Sequence, residues 1–208
     1  MNSERNEMVR LIQAYGVRDE KIIEAMRKVR RHVFIPEGQS GMLDPYGDHP
    51  CPIGNGQTIS QPFIVAYMSE KINPKPGEKI LEIGTGSGYQ AAVLAELGAD
   101  VYSIEIIPDL ANHAKKILAQ EKYKVHILEA DGYKGWPEMA PFDVIIVTCA
   151  PEEIPFELIQ QLNEGGRMIL PVGSPLNQKL VVLYKSGGKV KLENDLAVRF
   201  VPMVHRQS

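Results

Sequence analysis

Leu81-Glu82-Ile83-Gly84-Thr85-Gly86-Ser87-Gly88-Tyr89 decides the architecture of this chain of 208 residues. A short apolar run breaks into three alternating glycines and passes straight into a helical pattern that runs to residue 97. Such a strand-to-helix turn is where open α/β sheets hold nucleotide-like ligands. Toward the C-terminus the alternation continues. Strands are predicted over 79–83, 101–106, 125–130, 142–148 and 167–171, with helices over 108–121 and 153–162 between them. This βαβ rhythm predicts an α/β fold, a doubly wound, Rossmann-like parallel sheet covered on both faces. After Gly173 the style changes. Runs at 180–184, 190–192 and 198–201, with a turn at Ser186-Gly187-Gly188, predict antiparallel strands that finish one edge of the sheet.

The glycine spacing narrows the ligand. A dinucleotide fingerprint is spaced GxGxxG and sets a pyrophosphate on the helix end, whereas Gly84, Gly86 and Gly88 give GxGxG. That spacing favours S-adenosylmethionine, which has no phosphate and can lay its methionine portion along bare backbone. It disfavours an NAD-dependent oxidoreductase. Glu105 ends the next predicted strand, 21 positions beyond Gly84 and close to the ~20 expected of an acid that grips ribose hydroxyls. An ionised carboxylate only accepts hydrogen bonds and so suits a diol. Asp131, followed by Gly132, holds the same place after the third strand, where it would accept from an adenine amino group. Taken singly, each acid could also be a solvated loop residue or a helix cap. Three successive strand ends with compatible groups read as one site.

Upstream stands Gly54-Asn55-Gly56-Gln57-Thr58-Ile59-Ser60-Gln61-Pro62. The glycines permit a tight turn, and Pro62 suits the first turn of a helix whose apolar face is Phe63, Ala66, Tyr67 and Ile72. Thr58 and Ser60 flank Ile59, so in an extended segment both hydroxyls face one side and can donate to a bound carboxylate. A serine before a proline otherwise reads as a helix cap.

Residues 1–50 read as two short helices followed by a loop or lid rich in Pro36, Gly38, Gly41, Pro45, Gly47 and Pro50. The first helix carries Met8, Leu11, Ile12 and Tyr15 and ends at Gly16. In the second, Ile22, Met26, Val29 and Val33 recur at helical spacing, so Arg27, Lys28, Arg30, Arg31 and His32 are expected on its solvated face. The whole is expected to be one domain, 1–208, with helices, lid and substrate loop in 1–76 and the cofactor-binding sheet core and C-terminal strands in 77–208.

Composition excludes several classes. A formal charge of -3 and a pI near 6.0 argue against a nucleic-acid surface. Two cysteines, Cys51 and Cys149, give neither a disulfide framework nor a metal-ligand spacing, which fits a reducing cytoplasm. The N-terminus has no signal-peptide core, and no stretch approaches the ~20 apolar residues of a membrane span.

With these pieces in place, the chain resembles the protein-L-isoaspartate O-methyltransferase family over nearly its whole length. The carrying motifs are Pro52-Ile53-Gly54-Asn55-Gly56-Gln57-Thr58-Ile59-Ser60-Gln61-Pro62, then Leu81 to Tyr89, Gly165-Gly166-Arg167-Met168 with Pro171-Val172-Gly173, and Val198-Arg199-Phe200-Val201-Pro202-Met203. The resemblance implies methylation of the free α-carboxylate of L-isoaspartyl residues in damaged proteins and peptides, and leaves D-aspartyl residues open as a second acceptor. The ester then collapses to a succinimide whose hydrolysis returns some normal aspartate. It implies S-adenosyl-L-methionine as cofactor, S-adenosyl-L-homocysteine as product, and a monomer that needs neither metal, membrane nor nucleic acid. The site it implies has Ser60 and Thr58 as catalytic residues, and Ser60, Phe200 and Val201 holding substrate. Gln57, Ile59, Gly84, Thr85, Gly86, Ser87, Gly88, Glu105, Ile106, Asp131 and Gly132 would hold cofactor. A related methyltransferase acting on a small molecule or nucleic acid is the alternative. The fourth strand departs slightly from the family with Thr148-Cys149-Ala150-Pro151, where Cys149 reads as a packing residue because no base partner can be assigned to it. Trp136 is expected to be a packed loop aromatic and His205 to be solvated, while His49 and Asp48 of the lid have only a weak claim on substrate.

Overall fold

A computed structural model describes residues 2–38 and 43–205; Gly41 of the expected lid lies outside them. Helices α1 (Asn2–Ala14) and α2 (Glu20–Lys28) precede a two-stranded hairpin, β1 (Cys51–Gly54) and β2 (Gln57–Ile59). Helix α3 (Pro62–Ile72) follows. The repeating part is then β3 (Lys79–Ile83), α4 (Tyr89–Glu96), β4 (Asp100–Glu105), α5 (Pro108–Gln120), β5 (Val125–Glu129), β6 (Phe142–Val147), α6 (Phe156–Gln161), β7 (Leu162–Ser174), β8 (Asn177–Ser186) and β9 (Lys189–Val198). The main sheet has the order β5-β4-β3-β6-β7-β8-β9. Pairs from β5 through β7 are parallel, and β7-β8-β9 is antiparallel. The chain winds outward from β3 to β5, returns to β6 on the other side of β3, and so puts a switch point beside the carboxyl end of β3.

Strand alternation sorts the core into two layers. Ile80, Val144, Ile146 and Ile169 pack beneath α3 to α5, together with Ile22, Met26, Val65 and Met68 from the N-terminal helices. Leu81, Ile83, Ile145 and Val147 face the opposite layer, where α6 brings Leu158. Both faces are covered, the second by a single short α-helix and 3-10 turns at Gly132–Lys134 and Pro137–Met139.

Several expectations change. The helix expected over 153–162 is only Phe156–Gln161, since Pro155 sits at its N-cap and Leu162 already pairs with Phe142 in the sheet. The stretch 198–201 is not a strand of its own: β9 runs unbroken to Val198 and the chain then leaves the sheet. The basic run is not all solvated either. Helix α2 stops at Lys28, and a 3-10 turn at Arg31–Phe34 rotates Arg31 into the core, where it is fully buried. Its guanidinium lies 5.1 Å from the centre of the Tyr89 ring, and its Nε donates to Pro45 O at 2.7 Å. The charge thus serves to hold the described part of the lid. Tyr46, buried in the same region, has its hydroxyl 2.6 Å from His32 Nδ1. Trp136 packs edge-on against Tyr102 at 5.5 Å, as expected of a loop aromatic.

Candidate active site

The loop after β3 is built from backbone. Gly84 and Thr85 N–H both donate to Ile104 O, at 2.8 and 3.1 Å, tying the turn to the neighbouring strand. Gly84 has φ +94°, and a Cβ there would lie 2.6 Å from Thr148 Oγ1, so the position requires glycine on both counts. Thr148 in turn donates from its hydroxyl to Gly84 O at 2.6 Å. Ser87 accepts from Tyr89 N–H at 3.2 Å, at the first residue of α4.

Glu105 closes this loop from the side. Its Oε2 accepts from Gly86 N–H at 2.7 Å and its Oε1 from Ile107 N–H at 3.0 Å. The residue is only 5% exposed. Burial pushes its carboxyl above the ordinary range, opposed by the N–H groups of Ile107, Gly86 and Ile106. Each carboxylate oxygen keeps a lone pair for a diol. Below the loop, fully buried Glu82 accepts a short hydrogen bond from Ser103 Oγ, and Ser103 Oγ lies 2.5 Å from Thr85 Oγ1. Burial drives the Glu82 carboxyl up to about 8, further raised by the field of Glu105 and opposed by the Ser103 hydroxyl. Glu82 Oε1 has no partner among the described residues.

The cavity above the loop is lined by Gly84, Thr85, Gly86, Ser87, Glu105, Ile106 and Gly132, and by Gln57, Thr58, Ile59 and Ser60 from the hairpin. Val201 also lines it. Thus most of the sequence-derived site converges on one place, although Ser60 lies 141 positions from Val201 in the chain. The structure places three of the named residues outside this lining. Gly88 faces away, against Leu118 and Ala114. Asp131 Oδ1 accepts from Tyr133 N–H at 2.9 Å and caps the 3-10 turn, while its Oδ2 lies 3.2 Å from Nδ1 of His205. Phe200 lines a neighbouring groove instead. His205 is exposed, as expected, but stacks on Tyr133 with ring centres 3.9 Å apart.

The hydroxyls sit at a junction. Thr58, Ser60, Thr148, Val201 and Pro202 line both the loop cavity and that groove, which runs past Phe63 and Arg199. Ser60 does not cap α3. Asp48 does so from the lid, accepting from Phe63 N–H at 2.8 Å and from Gln61 Nε2 at 3.1 Å. On the far wall Gln178 clamps Phe200, accepting from its N–H at 2.7 Å and donating to its carbonyl at 3.2 Å. Ala150 then holds the next turn of chain by donating to Val201 O and accepting from Met203 N–H, both at 2.8 Å. The Val201 N–H has no partner among the described residues.

Sequence reasoning missed the capping role of Asp48, the bond of Thr148 to the glycine loop, Gln178, and the linkage of Glu82 and Ser103 to Thr85. Only Glu82, a charge inside a predicted buried strand, carried a visible signal. Ile107 and Leu110 add apolar wall beside Glu105 and were not singled out from the sequence. Cys149 lines the cavity, and burial, with the fields of Glu105 and Glu82, pushes its thiol up to about 12, so it stays a protonated thiol at neutral pH. His49 lies beside Cys51 Sγ at 3.6 Å and lines none of these spaces.

These observations fit an S-adenosyl ligand: bare backbone and a glycine that no larger residue can replace, a carboxylate with spare acceptors, and apolar walls. Comparison with known proteins points the same way. The family model described as protein-L-isoaspartate(D-aspartate) O-methyltransferase matches residues 2–208. A protein-L-isoaspartate O-methyltransferase of Gloeobacter violaceus is 51% identical over 194 residues, covering 92% of this chain and 94% of that protein. A solved protein-L-isoaspartate O-methyltransferase superposes with a TM-score of 0.87 at 29% identity, over 97% of this chain and 66% of the other. A beta-aspartate methyltransferase structure from Plasmodium falciparum, in complex with S-adenosyl-L-homocysteine, gives 0.84 at 26% identity, over 97% and 98%.

Proposed function

The chain belongs to the protein-L-isoaspartate(D-aspartate) O-methyltransferase family, and on that footing we propose that it methylates the free α-carboxylate of isoaspartyl residues in damaged proteins and peptides, using S-adenosylmethionine. The observation that carries the reading is the shared lining of cavity and groove by Thr58 and Ser60, which puts two neutral hydroxyls where a cofactor space meets a peptide-sized channel.

When bound, the cofactor supplies a methyl group on a sulfonium centre. Gly84 to Ser87 would hold its methionine portion, and Glu105 its ribose. The rest is work for the chain. A free α-carboxyl of the isoaspartyl kind titrates at about 3.5 and is ionised at neutral pH, so no side chain has to remove a proton. Thr58 and Ser60 donate to this carboxylate and aim it into the cavity. Neutral hydroxyls bind an anion less strongly than a guanidinium fork does and leave the oxygen nucleophilic. The groove and the apolar wall exclude water, which strengthens the positioning. Val201 N–H is available to a substrate main-chain carbonyl, which would give sequence-tolerant binding. We assign Asp131, which accepts from Tyr133 N–H and lies beside His205, to the edge of the cofactor site on the adenine side.

We assign this activity to a single-domain monomer, because the site is assembled within one chain, and to a reducing cytoplasm, which the two free cysteines fit. No helix of the described residues is long and apolar enough to cross a membrane. A labelled-methyl assay tests the function. An isoaspartyl peptide should accept label and its normal aspartyl twin should not; equal labelling of both would refute the assignment.

A further inference from the structure

An isoaspartyl residue inside a protein has chain on both sides, so a site that seats its carboxylate needs two exits. Pro202 marks where they meet. It lines the cofactor cavity, the groove past Phe63 and Arg199, and a third space that shares Pro175 with that groove. That third space holds about 590 Å³, and it shares Met203 as well as Pro202 with the lining of the cofactor cavity.

The two exits differ in charge. In the first groove Arg199 is the one charged lining residue among those described; it is exposed and has no ion-pair partner among them. In the other, the charged lining residues are Glu152 and Glu153, both exposed and without an ion-pair partner among the described residues. Their floor is apolar, made by Ile154, Pro155 and Pro175 with Phe156, which is 63% exposed. An exposed phenylalanine beside two free carboxylates suits a side chain with an aliphatic stem and a cationic head, which lays its methylenes on the ring and keeps its charge at the rim.

Resting on the methyltransferase reading, we infer that the substrate chain leaves the site along a charge-polarised track, with one flank of the isoaspartyl residue in the Glu152–Glu153–Phe156 groove and the other past Arg199. The acidic groove takes the flank bearing lysine or arginine, and the Arg199 groove favours aspartate or glutamate. Because each residue of an extended peptide advances ~3.3 Å, the positions read are those a few residues from the modified one. Main-chain contacts still carry most of the affinity, so the track biases substrate choice without imposing a sequence.

The test is a set of isoaspartyl peptides that differ only in placing lysine, alanine or glutamate two to four residues to either side. The peptide KM should favour lysine over glutamate on one flank and glutamate over lysine on the other, each by about three- to tenfold at low salt and less as salt rises. The double variant Glu152→Gln, Glu153→Gln should erase the lysine preference and leave the glutamate preference. Arg199→Gln should do the reverse. Methylation with the same KM for every peptide overturns the track while sparing the enzyme assignment, as does a preference that survives both sets of substitutions. If the Phe156 groove instead seats a second copy, sedimentation will show a dimer that Phe156→Glu dissolves, with no flank preference, which also overturns it. Failure to methylate any isoaspartyl peptide would refute the underlying activity itself.

Discussion

The two walls of the site are made in opposite ways. The cofactor wall comes from the ends of adjacent strands: the loop after β3, Glu105 at the end of β4, and Thr148 after β6, all fixed by the register of one parallel sheet. The acceptor wall joins segments remote in sequence, the β1–β2 hairpin and the strap 201–203; beyond the two backbone hydrogen bonds of Ala150 to the strap, its flanks are held by single side chains, Asp48, Gln178 and Arg31. A wall built on sheet register is rigid by construction, whereas one held by side-chain clamps has its geometry set by a few replaceable contacts. Cofactor binding and acceptor methylation should therefore be separable by mutation.

The sharpest way to break that separation is Ser60→Ala. If Ser60 donates to the reacting carboxylate as proposed, its removal should lower turnover about 10²- to 10³-fold, with cofactor affinity measured by calorimetry nearly unchanged. A parallel loss of cofactor binding would mean that the walls are not independent.

The next largest effect concerns stability beneath the cofactor wall. Glu82 keeps its proton in the folded state until about pH 8, whereas an unfolded carboxyl gives it up near 4.5. Between those values the folded state binds more protons, so stability falls as pH rises through this window and levels off above it. Glu82→Gln removes the titration. Its stability relative to wild type in urea unfolding should improve by about 4 kcal/mol between pH 4.5 and 8. Parallel pH curves for the two proteins would refute the buried, protonated acid.

Glu105→Ala should raise the cofactor dissociation constant about ten- to thirtyfold, through loss of the diol acceptors and of the Gly86 tether, while turnover at saturating cofactor changes less. The smallest effect is that of Asp48→Ala. Loss of the α3 cap should cost ~1 kcal/mol of stability and raise the peptide KM, with no change in cofactor affinity, as calorimetry would check.

The same division explains what could be read from sequence. Strand boundaries from β3 to β6 were legible almost to the residue, because buried parallel strands are apolar runs closed by glycine or acid, as 81–84 and 104–105 show. That Thr58 and Ser60 would share one space was legible by their alternation around Ile59, and both line the cavity and the groove. The clamps were not. Nothing in the spacing of Asp48 announces that it caps a helix starting 14 residues later, and nothing in Gln178 announces Phe200, because such partners are fixed by tertiary proximity alone. Arg31 shows the same limit from the other side: periodicity put it on a solvated face, and the end of α2 at Lys28 turned it inward.

In the mechanism drawn from these two walls, the acceptor enters already ionised and is aimed without proton abstraction. The pH dependence of kcat with an isoaspartyl peptide at saturating cofactor probes this step itself. A plateau is expected from about pH 5.5 to 7.5, since the acceptor carboxyl is ionised far below that range. A rate that climbs about tenfold per pH unit to an inflection near ~6.5 would reveal a general base and overturn the mechanism.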